Sequence, residues 1–91
     1  MSEPELGPEL EYSEVADEQL NELEATDAPL YNDILAACEL IGQNPALAQS
    51  MSAAVSTGNG IVLRLPVAGR YPYKVFWRSA GPRIEAVFPY K

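Results

Sequence analysis

Hydrophobic positions recur at a helical period in the first half of the chain. Leu20 and Leu23 form a short apolar stripe within residues 17–25, and a longer stripe follows it. The longer stripe consists of Leu30, Tyr31, Ile34, Leu35, Cys38 and Ile41. Spacings of three and four residues place side chains on one face of a helix, so the sequence predicts a short helix followed by the main core helix.

Capping residues set the predicted limits of these helices. The main helix begins at Asp27 or Ala28, has Pro29 in its first turn and ends at Gly42. Asn44 then has the character of an N-cap. It predicts a third, smaller helix or irregular turn. Pro45 is in its first turn, and its apolar positions are Leu47, Met51, Ala54 and Val55.

Short strands are predicted on both sides of the helical region. Residues 12–15 alternate between apolar and polar and predict a strand before the first helix, whereas residues 56–60 interrupt the helical pattern. Residues 61–65 predict another strand, and a two-stranded hairpin takes up the rest of the chain. Pro72 cannot donate to a ladder, so we expect a bulge or a sheet edge near it.

The hairpin has a register that segregates its two faces. With Ala80 and Gly81 as a two-residue turn, the pairs on one face are all apolar or aromatic. These pairs are Trp77 with Ile84, Val75 with Ala86, Tyr73 with Phe88 and Tyr71 with Tyr90. The opposite face then carries Arg70, Lys74, Phe76, Arg78, Arg83, Glu85 and Val87. A longer turn that includes Pro82 is the alternative.

These elements predict a single α+β domain. Its sheet is small and antiparallel, with three to four strands, and the N-terminal helices pack on its aromatic face. A chain of 91 residues is long enough for one such core and too short for two. Residues 1–11, which are rich in Glu and Pro, predict a disordered acidic leader, and residues 12–91 predict the folded domain.

Composition excludes several classes of site. The chain contains no histidine and a single cysteine, Cys38, so we expect no internal disulfide, no metal site and no Cys-His nucleophile pair. Cys38 lies in the apolar stripe and is expected to pack in the core. Glycine-rich cofactor motifs are absent, so no cofactor is predicted. The acidic N-terminus and the lack of an apolar run of about 20 residues predict a cytoplasmic protein with no membrane partner.

Charge is divided along the chain. No Lys or Arg precedes Arg64, whereas twelve of the thirteen acidic residues do. The last 28 residues contain all six bases and one acid, which gives them a formal charge of 6 − 1 = +5 in a chain of net charge −7. A basic surface can bind anions, but exposed sheet edges are also often basic because the charge discourages edge-to-edge pairing.

The order of elements and two strand motifs resemble the RelE/ParE superfamily of bacterial toxins. The motifs are Gly69-Arg70-Tyr71-Pro72-Tyr73-Lys74-Val75-Phe76-Trp77 and Ile84-Glu85-Ala86-Val87-Phe88. The resemblance covers about residues 12–90. It implies the toxin of a type II toxin–antitoxin module, with a cognate antitoxin as partner and with either messenger RNA at the ribosome or DNA gyrase as target.

The resemblance also assigns residues to the open sheet face. Arg64, Lys74 and Tyr90 fall on positions that are catalytic in the ribonuclease branch. By the same resemblance, the residues expected to bind a nucleic acid or another anion are Arg70, Lys74, Phe76, Arg78 and Arg83. The chain departs from the family pattern, because apolar residues occupy 61–63, where ribonuclease members often carry bases, and Lys74 replaces the usual arginine.

The chemistry of RNA cleavage leaves the function open at this stage. Attack by a ribose 2′-hydroxyl needs a base, cations for the phosphorane and an acid for the leaving oxygen. The nearby proton carriers are Tyr73, Glu85 and Tyr90. The alternatives are a catalytically degenerate toxin fold that binds an acidic protein or peptide, and a leader that lies over the chain's own basic face.

Overall fold

The structure is a computed structural model and describes residues 10–87. Three helices and five strands follow one another along the chain. In order, they are β1 (Glu11–Tyr12), α1 (Glu14–Thr26), α2 (Ala28–Gln43), α3 (Pro45–Ser50), β2 (Ala53–Thr57), β3 (Gly60–Pro66), β4 (Lys74–Arg78) and β5 (Arg83–Ala86). The strands form one sheet in the order β1-β5-β4-β3-β2. The predicted α+β class is confirmed.

The sheet differs from the prediction in strand number and direction. It has five strands rather than three to four, and β1 runs parallel to β5, so the sheet is mixed rather than antiparallel. The missed strand is β2, because Ala54 and Val55 also fit the helical spacing of α3. Gly58 and Asn59 are a two-residue turn that reverses the chain into β3.

The first strand begins at a residue that the sequence pattern assigns to the leader. Leu10 packs against the core, and Glu11 begins β1. Leu10 lies against Gly42 of α2 and Glu11 pairs with Arg83 of β5, and the local sequence reveals neither of these partners. The rest of the predicted leader, residues 1–9, lies outside the described residues, as does the tail after residue 87.

One face of the sheet and the three helices enclose the hydrophobic core. The sheet contributes Leu63, Leu65, Val75, Trp77 and Ile84, and the helices contribute the predicted stripes of α1 and α2. The buried Trp77 donates its indole N–H to the Ser52 hydroxyl at 3.1 Å, and Ser52 in turn donates to the carbonyl of Ala48 at 2.7 Å. The largest core side chain is therefore satisfied and linked to α3.

The predicted starts of α2 and α3 are confirmed by side-chain caps, whereas α1 begins at Glu14, inside the predicted strand of residues 12–15. Asp27 Oδ1 accepts the amide of Leu30, and Asn44 Oδ1 accepts the amide of Leu47, each at 3.3 Å. The predicted end of α2 at Gly42 is wrong, because the helix continues to Gln43 and its C-cap is Asn44. Gly42 is buried inside the helix, where a Cβ atom would contact Leu10 at 3.7 Å.

The predicted hairpin register is confirmed for the pair nearest the turn and is wrong for the pairs farther from it. Trp77 faces Ile84, but Ala86 faces Phe76 rather than Val75, because a bulge places Glu85 as an extra residue in β5. Val87 is consequently turned into the core instead of the basic face. The turn spans residues 79–82, which is the longer alternative with Pro82.

The predicted first strand of the hairpin also begins too early. β4 starts at Lys74, and residues 67–73 form turns, so the bend expected near Pro72 is a complete break from the strand. Tyr71 is 92% exposed and does not pack on the aromatic face, whereas Tyr73 is half-buried against the core. Phe88 and Tyr90, their predicted partners, lie outside the described residues.

Ser13 connects the first strand, the first helix and the bulge. Its hydroxyl donates to the carbonyl of Glu85 at 2.6 Å and accepts the amide of Ala16 at 3.0 Å, while its own amide donates to the carbonyl of Ile84 at 2.9 Å. The side chain is thus both the N-cap of α1 and the tie between α1 and β5.

We expect Ser13→Ala to lower the free energy of unfolding by about 1–3 kcal/mol, because it removes a helix cap and the hydroxyl that donates to the partly buried carbonyl of Glu85. Ser50→Ala is the matched control, since the Ser50 hydroxyl also donates to a carbonyl but is exposed. It should change stability by less than about 0.5 kcal/mol. Urea unfolding followed by Trp77 fluorescence measures both, and equal effects would contradict the role assigned to Ser13.

Candidate anion-binding site

The open face of the sheet, which lies opposite the helices, carries a shallow cavity of about 530 Å³. We define this open face by Val62, Arg64, Phe76, Arg78 and Glu85, which alternate with core residues along β3, β4 and β5. The cavity is bounded on its two sides by β2 and by the start of α1. Five of its eleven lining residues are apolar, namely Val15, Val55, Val62, Phe76 and Ala86.

Arg64 lies within this apolar lining. It is in β3, with Ala53 of β2 on one side and Phe76 of β4 on the other. Its Nε atom is buried and has no hydrogen-bond partner within residues 10–87. A guanidinium carries five N–H donors, so the side chain of Arg64, which lines the cavity, is suited to donate to an anionic oxygen.

The other two arginines of this region share one carboxylate. Arg78 Nε lies 3.1 Å and Arg83 Nε lies 3.3 Å from Oε2 of Glu85. Arg78 also donates to the carbonyls of Asn59 and Ile61 in the β2–β3 hairpin, at 3.2 and 3.4 Å. Arg78 is therefore a brace between strands, and Glu85 offsets much of the charge that the sequence assigned to anion binding.

The hairpin turn is shaped around Arg78. Gly60 has a φ of +115°, and a Cβ atom at this position would approach an Arg78 terminal nitrogen at 3.3 Å. Both the backbone conformation and the close approach favour glycine. The sequence pattern predicts residue 60 only as part of a break between elements. In the structure, a glycine at this position leaves room for the Arg78 side chain.

Two predicted binding residues lie away from the cavity. Arg70 is in the β3–β4 connection and forms an ion pair with Asp33 of α2 at 2.7 Å, which raises the pKa of the arginine further. Lys74 lies near the Tyr71 ring, 5.7 Å from its centroid, and donates to the carbonyl of Pro72. The predicted grouping of Arg70 with the open face is wrong, since its partner is in the helical layer.

The two predicted proton carriers that the structure describes, Tyr73 and Glu85, do not lie together at the cavity. Glu85 is engaged by two arginines, and Tyr73 packs against the core. Tyr90 lies outside the described residues, so its predicted catalytic role stays a prediction. Phe76 is half-buried in the cavity wall, where its ring extends the apolar surface beside Arg64.

Sequence reasoning missed the apolar side of the site. Val55 and Val62 face each other across β2 and β3 and form part of the cavity wall. The segment Thr57-Gly58-Asn59-Gly60 could have indicated them, because its Gly-Asn pair is typical of a hairpin turn. A turn at that pair places Val55 opposite Val62.

Comparisons with protein-family models, with curated proteins and with solved structures found no match to this chain. The fold and the cavity therefore define it as an α+β protein with a five-stranded mixed sheet and an arginine-containing open face. In residues 10–87, no helix is long and apolar enough to cross a membrane, and no three His, Cys, Asp or Glu side chains are grouped to hold a metal ion.

Cys38 is in the core, as predicted, and not at the cavity. Burial raises the pKa of its thiol to about 12, although the neighbouring Tyr12 hydroxyl partly opposes the shift. Burial and the contact with Cys38 likewise raise the pKa of Tyr12 to about 12. Both groups are therefore held in their neutral, protonated forms, which makes the thiol a poor nucleophile.

Stability should fall between about pH 9 and pH 12. The raised pKa values mean that the unfolded chain loses these protons at lower pH than the folded chain, so the stabilisation is complete below pH 9 and is lost as pH rises towards 12. Tyr12→Phe should make this decline shallower, because one of the two groups no longer ionises. Urea unfolding at each pH measures it. The control is Tyr71→Phe at an exposed position, and an identical decline in all three chains would contradict the assignment.

Proposed function

We propose that the chain is a non-enzymatic binding protein with a RelE/ParE-like toxin fold, whose open face binds an acidic segment of a protein partner. The observation that carries the proposal is the position of Arg64, which lines the cavity beside apolar side chains and whose buried Nε atom has no hydrogen-bond partner within residues 10–87. A carboxylate of the partner would accept from this guanidinium.

The cavity lining supports a peptide rather than a nucleic-acid ligand. Val15, Val55, Val62 and Ala86 line the same cavity as Arg64, and such a surface matches the aliphatic side chains of an amphipathic segment. Of the charges nearby, Arg78 and Arg83 are already paired with Glu85. A phosphate backbone would require several unpaired cations along its length, whereas one carboxylate requires a single arginine.

The state of the predicted catalytic residues also favours binding over cleavage. Glu85 accepts from two arginines, and Lys74 is at the far end of β4 beside Tyr71. Transfer of a proton to or from RNA needs a side chain within hydrogen-bond reach of the reacting group. Within the described residues, the cavity offers a cation and apolar surface but no such group beside Arg64.

Binding of an acidic amphipathic peptide tests the proposal. The probe is a labelled synthetic helix with Glu along one side and Leu along the other, and the measurement is fluorescence anisotropy at low salt. Arg64→Gln should weaken binding about tenfold, because it removes one charge-assisted hydrogen bond.

The matched control is Arg70→Gln, which removes the same charge from the helical side of the molecule and should change the affinity by less than about twofold. An equal loss of peptide affinity in the two variants would mean that only the net charge of the protein matters, and it would contradict a site at Arg64. An absence of binding by the unmodified chain would also count against the proposal.

A second candidate function is the growth-inhibiting toxin of a type II toxin–antitoxin module, acting on messenger RNA at the ribosome or on DNA gyrase. The observation that favours it is the order of a short strand, helices and an antiparallel hairpin region, in which the first strand lies beside the last described strand. A cognate antitoxin would then be the acidic partner, and a cytoplasmic location is part of this proposal.

Induced expression in a bacterial host separates the two functions. A binding protein should leave growth undisturbed, while a toxin should arrest it, with RNA cleavage for a ribosomal target or altered plasmid supercoiling for gyrase. If growth is arrested, Lys74→Glu should relieve the arrest more than Asn32→Glu, a change at an exposed position of α2. Arrest that Lys74→Glu leaves unchanged would remove Lys74 from the site.

A further inference from the structure

We propose that two copies of this chain pair through β2 and form one continuous ten-stranded sheet. β2 is an edge strand that pairs with β3 alone in the described sheet. The other edge, β1, is only two residues long and is followed at once by α1. Long, regular edges are the ones that accept a further strand, whereas very short edges do not.

The β2 edge lacks the features that protect other sheet edges. Its sequence, Ala-Ala-Val-Ser-Thr, has no charge and no proline, and its five pairs with β3 follow one another without a bulge. Natural edges are usually blunted by lysine, proline or a bulge. The exposed backbone of β2 can therefore accept a strand without steric or electrostatic hindrance.

The surroundings of β2 favour a second copy as the occupant. Residues 40–63 contain no Asp, Glu, Lys or Arg, although the whole chain has a net charge of −7. Two copies of so acidic a protein repel each other at most orientations, and the β2 edge is where they can meet with little repulsion. Among residues 10–87, six large hydrophobic side chains are exposed, and three of them are in the elements next to β2 in the chain: Leu47 of α3 at 46%, Met51 at 54% and Ile61 of β3 at 57% exposure.

The ladder with β3 fixes the register of the pair. Thr57 and Gly60 flank a two-residue turn and therefore form a hydrogen-bonded pair, and such pairs alternate along an antiparallel ladder. Val55 and Ala53 thus direct their backbone groups to β3, while Ala54 and Ser56 direct theirs outward. A two-fold axis at Val55 places Ala54 opposite Ser56 of the second copy, so the outward donors and acceptors match.

In the same register, the side chains of the two β2 strands fit together without a clash. Val55 meets its own copy on the open face, while Ala54 and Ser56 are small enough to pass each other on the helical face. In an antiparallel pair related by this axis, the helical layers lie on the same side of the sheet. Leu47, Met51 and Ile61 of both copies then line the seam and lose exposure to water.

Light scattering after size-exclusion chromatography tests the pairing with the full chain, at concentrations from about 1 μM to about 1 mM. The expected mass at the upper end is twice the 9.9 kDa of one chain. Ala54→Pro removes an outward N–H and spares the ladder with β3, so it should weaken pairing at least about tenfold, as should Ser56→Lys. Ser79→Lys adds the same charge in the exposed β4–β5 turn and should have no effect.

Cysteine cross-linking tests the register independently of variant stability. In the proposed pair the two Val55 Cα atoms are about 4.5 Å apart, within the range for a disulfide, whereas the two Thr57 Cα atoms are about 13 Å apart. Val55→Cys should therefore form a covalent dimer under mild oxidation, and Thr57→Cys should not. The native Cys38 is buried, so it should not form disulfides that would be mistaken for those of the introduced cysteines.

Several outcomes would overturn the proposal. A monomer throughout the concentration range excludes pairing, and a dimer that both Ala54→Pro and Ser56→Lys leave intact excludes the β2 edge. Equal cross-linking of Val55→Cys and Thr57→Cys excludes the register. Far-UV circular dichroism of each variant confirms that a loss of pairing is not a loss of folding.

Discussion

The hydrogen bond from the Ser13 hydroxyl to the carbonyl of Glu85 joins the first helix to the last described strand, across 72 residues of sequence. Because the same hydroxyl caps α1, the helix start and the last described strand share one side chain. The bond is made at the bulge of β5, where Glu85 is the extra residue. The bulge leaves the Glu85 carboxylate on the open face and turns Val87 into the core.

The position of Glu85 decides the electrostatic character of the open face. The C-terminal region has a formal charge of +5, but Glu85 pairs with Arg78 and Arg83, while Asp33 pairs with Arg70 from the helical side. Ion pairs at the surface contribute little to stability, yet they reduce the field that an approaching anion meets. Arg64 differs from the other arginines because its Nε atom is buried among apolar side chains.

Sequence patterns predicted the features that depend on near neighbours in the chain. The stripes of α1 and α2, the caps at Asp27 and Asn44 and the Trp77–Ile84 pair follow from local periodicity and local hydrogen bonds. The bulge at Glu85 could not be predicted, because Ser13 stabilises it from 72 residues away. The position of Arg70 likewise depends on Asp33, 37 residues earlier. β2 was missed because five small residues fit a helix as well as an edge strand.

The open face and the β2 edge meet at Val55, which lines the cavity and lies at the centre of the exposed strand. Pairing through β2 would therefore bring two cavities side by side, each with an Arg64 one strand away from the seam. A partner with two acidic segments could then occupy both sites, and the second contact would be intramolecular, which raises the overall affinity without any new interaction. By linkage, such a partner would stabilise the paired form by as much as pairing strengthens its binding.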